Sequence, residues 1–372
     1  MKFLVTGGAG FIGSFLTDEL VRRGGDVIVL DNLDPQVHPE GKVPEYLNPR
    51  AEFVKGDVRD RDVLARILPE VDAVFHYAGA VGVAQSQYRV EHYVDVNIRG
   101  TATLMDLLVN DRARRVCKVV VAASMTAYGE GVYADSKGQE MRPPVRRVED
   151  VKDGQWEPRS PLTGEALKPV RIREDAARQG DSIYAITKDM QERMVLGLGK
   201  TYGIPSVALR YFNVYGPRQS LSNPYTGVAA IFLARLKAGQ SPVVYEDGLQ
   251  TRDFISVHDA VRAVLLVLDT SLADYQALNI GSGVGTSIAD LARRLSRLTR
   301  NQIEPVITGQ FRKGDIRHCT ADISGARRQM GFEPRVTLDD GLRELVEWSA
   351  KTQSTDYFEK AAGELREKGL AP

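Results

Sequence analysis

Apolar runs and helical periodicities alternate along the first half of the chain. Phe3–Thr6 is a short apolar run, and Phe11–Arg23 repeats apolar residues at helical spacing. Asp26–Leu30 reads as a second strand ending at Asp31, and Glu52–Lys55 as a third ending at Gly56-Asp57. A helix follows at Val63–Leu68, a fourth strand at Ala73–His76, a long amphipathic helix at Val94–Val109 and a fifth strand at Lys118–Ala123. Helix returns at Ser182–Lys200, before a sixth strand at Ser206–Tyr211. Such β-α repetition predicts an α/β fold, a Rossmann-type doubly wound parallel sheet with ligands at the carboxyl ends of its strands. The last third shows helical patterns at 228–238, 257–268, 287–298 and 338–350, which predict a smaller mixed α/β C-terminal substrate lobe.

Between 130 and 180 the pattern breaks. This stretch is polar and holds Pro143, Pro144, Pro158, Pro161 and Pro169, so it reads as an irregular excursion from the sheet. The expected division is a dinucleotide domain over 1–215, carrying that insertion, with segments returning at about 253–283. Residues 216–252 and 284–372 then form the second lobe.

Composition narrows the function classes. Lys+Arg and Asp+Glu both number 49 in 372 residues, with no basic stripe for a nucleic acid. No apolar run is long enough for a membrane span: Ala260–Leu268 is short and interrupted by Arg262. Phe3-Leu4-Val5 is too short for a signal peptide core. The two cysteines, Cys117 and Cys319, have neither zinc spacing nor a disulfide framework, which points to a reducing cytoplasm.

Gly7, Gly10 and Gly13 follow the first strand and open the first helix. That spacing supplies a tight turn, close backbone approach and a helix N-terminus aimed at a pyrophosphate. Asp31 at the end of the next strand can accept from adenosine ribose hydroxyls and repel a 2′-phosphate, so NAD is favoured over NADP. Asp57 is assigned to the adenine amino group, with Asp60 the helix cap beside it. His76 reads as a packed strand-end residue.

Tyr184 and Lys188 stand four apart on one face of a helix. A phenol near its ordinary pKa of about 10 is a poor base. A neighbouring ammonium favours the phenolate. Ser124, just past the fifth strand, can hydrogen-bond the reacting oxygen and relay its proton.

With these residues the chain resembles the extended short-chain dehydrogenase/reductase family, in its nucleotide-sugar branch. The matching pieces run in order over nearly the whole chain: Thr6–Gly13, Asp31-Asn32, Gly56-Asp57, His76–Gly79, Asn97, Ser124 before Tyr128-Gly129, Tyr184/Lys188, Arg210–Pro217, Arg252–Ile255 and Arg312–Asp315. The resemblance implies Ser124, Tyr184 and Lys188 as catalytic. It implies NAD held by Gly7, Gly10, Phe11, Ile12, Gly13, Asp31, Asn32, Asp57, Val58, Tyr77, Ala78, Gly79 and Asn97, with Tyr184 and Lys188. It places a nucleotide-diphosphate sugar against Ser124, Thr126, Asn213, Arg252, Arg312 and Cys319, the arginine forks suiting phosphate oxygens. A homodimer through helices near 94–109 and 182–200 is also implied.

Dehydratases of this branch place an Asp-Glu pair after the active-site hydroxyl, where this chain has Met125 and Thr126. This favours 4-epimerisation over 4,6-dehydration. A 4-ketoreductase drawing on external NAD(P)H and an idle NAD-binding scaffold are the competing readings. The segments Val81–Ser86 and Gly314–Cys319, and the 56 positions from Tyr128 to Tyr184, resemble a subgroup with dTDP-L-rhamnose 4-epimerases. Cysteine pairs expected in that subgroup's insertion are replaced here by Ser160–Gly164, so no metal is expected. The insertion is expected to fold by its own contacts or to order over the bound sugar. Cys319 reads equally as a hexose-pocket residue and as a buried small hydrophobe.

Overall fold

A computed structural model describes residues 1–299, 302–312 and 314–371. Lys313 of the Arg312–Asp315 segment lies outside the described residues. Seven parallel strands form the central sheet: β1 (Lys2–Thr6), β2 (Asp26–Asp31), β3 (Glu52–Lys55), β4 (Ala73–His76), β5 (Lys118–Ser124), β6 (Ser206–Tyr211) and β7 (Gln276–Ile280). Their order is β7-β6-β5-β4-β1-β2-β3. The direction of winding reverses between β1 and β4, and a ligand crevice opens at such a switch point. The seventh strand is absent from the sequence-level pattern, because Gln276-Ala277-Leu278-Asn279-Ile280 alternates polar and apolar residues too weakly to be read as buried strand.

Strand alternation divides the core into two layers. Phe3 and Val5 of β1 face a cluster with Leu16 and Leu20 of α1 (Phe11–Arg22) and with Val261 and Val264 of the helix Val257–Leu268. Leu4 points the other way, onto Leu64 of α2 (Arg61–Ile67), Leu104 and Leu108 of α3 (Gly100–Asn110) and Val195 of α4 (Ile183–Tyr202). Each such fully buried side chain contributes about 1.5–3 kcal/mol. A third cluster, with Leu233, Leu291, Leu295, Leu342 and Leu345, fills the second lobe.

Two segments depart from the sequence expectation. The helix expected over Val94–Val109 is interrupted: Val94–Arg99 forms a π-helical turn ahead of α3. The insertion carries a small antiparallel sheet, with Val132–Ala134 between Glu140-Met141 and Lys168–Val170. Pairs this short leave no period-2 signature.

Candidate active site

The glycine loop sits at the switch point because only glycine fits there. Gly7 has φ +68°, and a Cβ on it would lie 2.7 Å from the Ala78 nitrogen. A Cβ on Gly13 would lie 2.3 Å from the Gly7 carbonyl oxygen, so α1 can start against the turn only without one. Gly10 is the N-cap of α1, and no side chain caps that first turn. The N–H groups of the turn of Phe11, Ile12 and Gly13 therefore suit an anion.

Asp31 secures the loop by accepting from the Ala9 N–H at 3.1 Å and the Leu33 N–H at 2.9 Å. Asn32 donates to Asp57 at 2.9 Å, and Arg59 pairs with the same carboxylate at 2.7 Å. Burial raises the Asp57 pKa, but the bonds from Arg59 and Asn32 outweigh it and hold it at about 2. Asp60 caps α2 through the Asp62 and Val63 N–H groups, as its position in the sequence suggested. Val58 is buried beneath this edge. The uncapped turn and the carboxylate-lined strand ends fit a dinucleotide.

The Tyr77-Ala78-Gly79 segment follows β4 across the crevice. Asn97, turned inward by the π-helical stretch, accepts from the Ala80 N–H at 2.8 Å and donates to Thr187 at 3.0 Å. It thereby joins the cofactor loop to α4, the helix that bears Tyr184 and Lys188. A π turn at such a position is a recurring functional device.

Ser182 caps α4 by accepting from the Ala185 N–H at 3.1 Å, which places Tyr184 in the first helical turn. A helix N-terminus favours a negative phenolate there. Ser124 ends β5, and its hydroxyl is bonded to Thr126 Oγ1 at 2.9 Å. Burial pushes the Tyr184 phenol up to about 12, opposed by a hydrogen bond from Ser124. Burial pushes Lys188 down to about 8, opposed by Glu192. At neutral pH the lysine remains a cation and the phenol neutral, and positive charge in the crevice would draw the phenol toward ionisation. Tyr93 packs edge-on against Tyr184 with ring centroids 6.4 Å apart.

The arginines singled out for phosphate converge on Asp315. Arg252 approaches it at 3.2 Å and Arg312 at 2.9 Å. The Nε of Arg312 and Oδ1 of Asn213 are buried without a hydrogen-bond partner among the described residues. Unpaired buried polar groups are costly, so each of these two atoms suits a polar ligand. Cys319 lies against Met125, its Sγ 3.1 Å from the thioether sulfur, in a cluster with Tyr128, Ile172 and Phe212. Burial pushes its thiol up to about 12, so it packs as an apolar group.

A model of the NAD dependent epimerase/dehydratase family matches residues 3–162 and 164–281. The chain belongs to that family. It is 34% identical to a dTDP-L-rhamnose 4-epimerase of Burkholderia thailandensis, over 94% of this chain and 95% of the relative. It is similar to the structure of a UDP-glucose 4-epimerase with UDP-glucose from Thermotoga maritima, at TM-score 0.78 and 33% identity over 94% and 99% of the two chains. A UDP-glucuronic acid 4-epimerase from Bacillus cereus, solved with UDP-glucuronic acid and NAD, superposes at TM-score 0.76 and 26% identity, again over 94% and 99%. Decarboxylases and a 4,6-dehydratase also match. The family's cofactor is NAD, in keeping with the glycine loop and Asp31.

Sequence reasoning missed the groups behind this surface. Arg317 is fully buried and pairs with Glu157 at 2.6 Å, Glu246 at 2.8 Å and Asp247 at 2.6 Å. Arg146 of the insertion reaches Glu246 at 2.9 Å and the Asp315 carbonyl at 2.8 Å. This ionic clamp fixes the insertion to the second lobe. Gln191, also missed, lies on the Lys188 face of α4, where helical spacing alone could have drawn notice. Among the described residues no group of three or more His, Cys, Asp or Glu side chains is arranged to hold a metal ion, and no helix is long and apolar enough to cross a membrane.

Proposed function

We propose that this protein is an NAD-dependent 4-epimerase of nucleotide-diphosphate hexoses. The observation that carries the reading is the Ser124, Tyr184 and Lys188 set beside Met125 and Thr126. Bound NAD supplies a reversible hydride acceptor for the carbinol carbon at C4. Tyr184 takes the O4 proton, Ser124 hydrogen-bonds the same oxygen, and Lys188 stabilises the phenolate by its charge. The 4-keto sugar would then turn to present its other face to the cofactor, and Tyr184 would give the proton back to O4. Met125 is buried against Cys319 and Thr126 is bonded to Ser124, so neither supplies the carboxyl acid and base that elimination of water requires. Asn213, Arg252 and Arg312 are assigned to the diphosphate.

Similarity to the Burkholderia relative makes a thymidine-diphosphate 6-deoxyhexose the first substrate to try. Two-fold pairing is assigned to the exposed apolar face of Val90, Val94, Ile186 and Met190. Light scattering that gives only a monomer mass would remove the dimer. Two unpaired cysteines suit a cytoplasmic location. NMR with a panel of nucleotide sugars and no added cofactor tests the activity. Inversion at C4 supports it; loss of water, or a demand for NAD(P)H, replaces it with a dehydratase or a ketoreductase. Tyr184→Phe should retain sugar-nucleotide binding and lose turnover by about a thousandfold or more.

A further inference from the structure

Lys188 stands at the head of a buried chain of neutral hydrogen bonds. Its Nζ donates to Gln191 Oε1 at 2.7 Å. Gln191 Nε2 donates to Thr101 Oγ1 at 2.7 Å, and that hydroxyl donates to the Asn97 carbonyl at 2.6 Å. Because the single Thr101 proton is committed, His76 Nε2 at 2.9 Å must donate to Thr101. His76 Nδ1 then accepts from Thr6 Oγ1 at 2.9 Å, and Thr6 Oγ1 accepts from the Ala78 N–H at 3.2 Å. Every link has one direction only. The chain runs from the catalytic helix to the strand that carries the glycine loop, and Gln191, Thr101, His76 and Thr6 are all buried.

We propose that Gln191 is a positioning residue that fixes the Lys188 ammonium, and through it sets how readily Tyr184 ionises. An amide oxygen cannot take a proton from an ammonium under ordinary conditions, so the chain is an anchor and not a proton relay. It occupies one of the three ammonium donors and leaves two for the crevice. The charged and titratable groups around Lys188 leave this role to Gln191. On its own helix, Glu192 is neutralised by Arg210 of β6 at 2.6 Å and by Arg178 at 2.6 Å. From β4, His76 is held neutral by burial, its pKa pushed down to about 3. From the end of β5, Ser124 carries no charge, and Tyr77 and Tyr211 are bonded to each other through their hydroxyls. Tyr93 donates to Gln85 at 3.0 Å. A neutral partner holds the lysine in place without cancelling its charge.

The proposal rests on Lys188 acting with Tyr184, so the test reads the phenol directly as well as turnover. Tyrosinate absorbance of the NAD-loaded protein is titrated against Tyr184→Phe, which isolates the Tyr184 signal. Gln191→Met keeps the volume and removes the acceptor. Its phenol midpoint should rise by about one pH unit. kcat at neutral pH should fall about tenfold with KM for the sugar nucleotide unchanged. Thr101→Val, which frees Gln191 from its own anchor, should move the midpoint the same way by less, and Thr101→Ser should restore it. The Thr101 pair decides the matter if Gln191→Met does not fold. A loss of kcat in Gln191→Met and Thr101→Val with an unmoved midpoint, or no change at all, overturns the proposal. An active Tyr184→Phe instead removes the epimerase reading and leaves the Gln191 titration still interpretable.

Discussion

Two buried polar assemblies hold this molecule's working parts, and they are built on opposite principles. Beneath α4, Lys188, Gln191, Thr101, His76 and Thr6 are joined by hydrogen bonds with a single cation at one end. Beneath the insertion, Arg146 and Arg317 meet Glu130, Glu157, Glu246, Asp247 and His318 in a network of charges. The first leaves its one cation, Lys188, on a neutral amide and without an ion pair among the described residues. The second pairs its two guanidinium groups with four carboxylates and serves to attach one segment to another. A neutral anchor suits chemistry, and an ionic clamp suits a joint that spans 71 residues from Glu246 to Arg317 and 160 from Glu157 to Arg317.

The sharpest way to break the contrast is at Arg317. Its side chain is fully buried among three carboxylates, so Arg317→Met strips Asp247 of its ion pair and leaves Glu246 with Arg146 alone and Glu157 with His318 alone. Removing one partner of a buried ion pair costs about 3–5 kcal/mol. A large fall in the thermal midpoint is the expected outcome, with the NAD-loaded Tyr184 titration unmoved in whatever protein remains folded. A variant as stable as the parent would show that the clamp is electrostatically idle.

Acid should separate the two assemblies next. Burial raises the Glu157 pKa, but His318 and Arg317 outweigh it and hold it at about 2. Asp247 is lowered likewise, Arg317 overcoming burial. Carboxylates depressed in the folded state give stability that is full above their unfolded values near 4, and that is lost as pH falls toward 2. His76 runs differently: with its folded pKa about 3 and its unfolded value near 6.5, it favours the folded state above 6.5 and costs stability increasingly as pH falls through that window. In limited proteolysis from about pH 6.5 to 2.5 (the window set by these shifts) the elements around His76 should therefore loosen first, and cuts within 130–180 should appear only below about pH 4. Cleavage within 130–180 already above about pH 4 would mean that the clamp does not govern the insertion.

The same contrast explains what the sequence disclosed. Gly7, Gly10 and Gly13, Asp31, and the Tyr184/Lys188 pair lie close together in sequence or at fixed helical spacing, so local geometry dictates their residue types. The parallel sheet and six of its strands were legible in the β-α repetition; β7, whose alternation is weak, was not. Arg317 finds its carboxylates across 70 to 160 residues and Arg146 reaches Glu246 across 100, and no spacing rule links Glu157 to Asp247. The π turn at Val94–Arg99 was hidden for another reason. Within it Asn97 bonds the Ala80 backbone, and a hydrophobic period cannot register a polar contact of that kind.

The smallest expected effect concerns the insertion as a cover for the sugar. Glu130 accepts from Tyr133 at 2.6 Å and from the Arg317 N–H at 2.7 Å, so the strand Val132–Ala134 is tied to the second lobe through its own flank. The Ile172 N–H bonds the Thr320 carbonyl at 2.8 Å, which ties the other end. A segment anchored at both ends and pinned in the middle by Arg146 is already ordered before ligand arrives. Hydrogen exchange at 132–134 and 168–170 should therefore be slow in the NAD-loaded protein and change by less than about threefold on adding nucleotide sugar. A slowing of a hundredfold or more across 130–180 would instead make the insertion a closing lid. The ionic clamp would then be a latch formed on binding, and the distinction between an anchor for chemistry and a joint for structure would have to be given up.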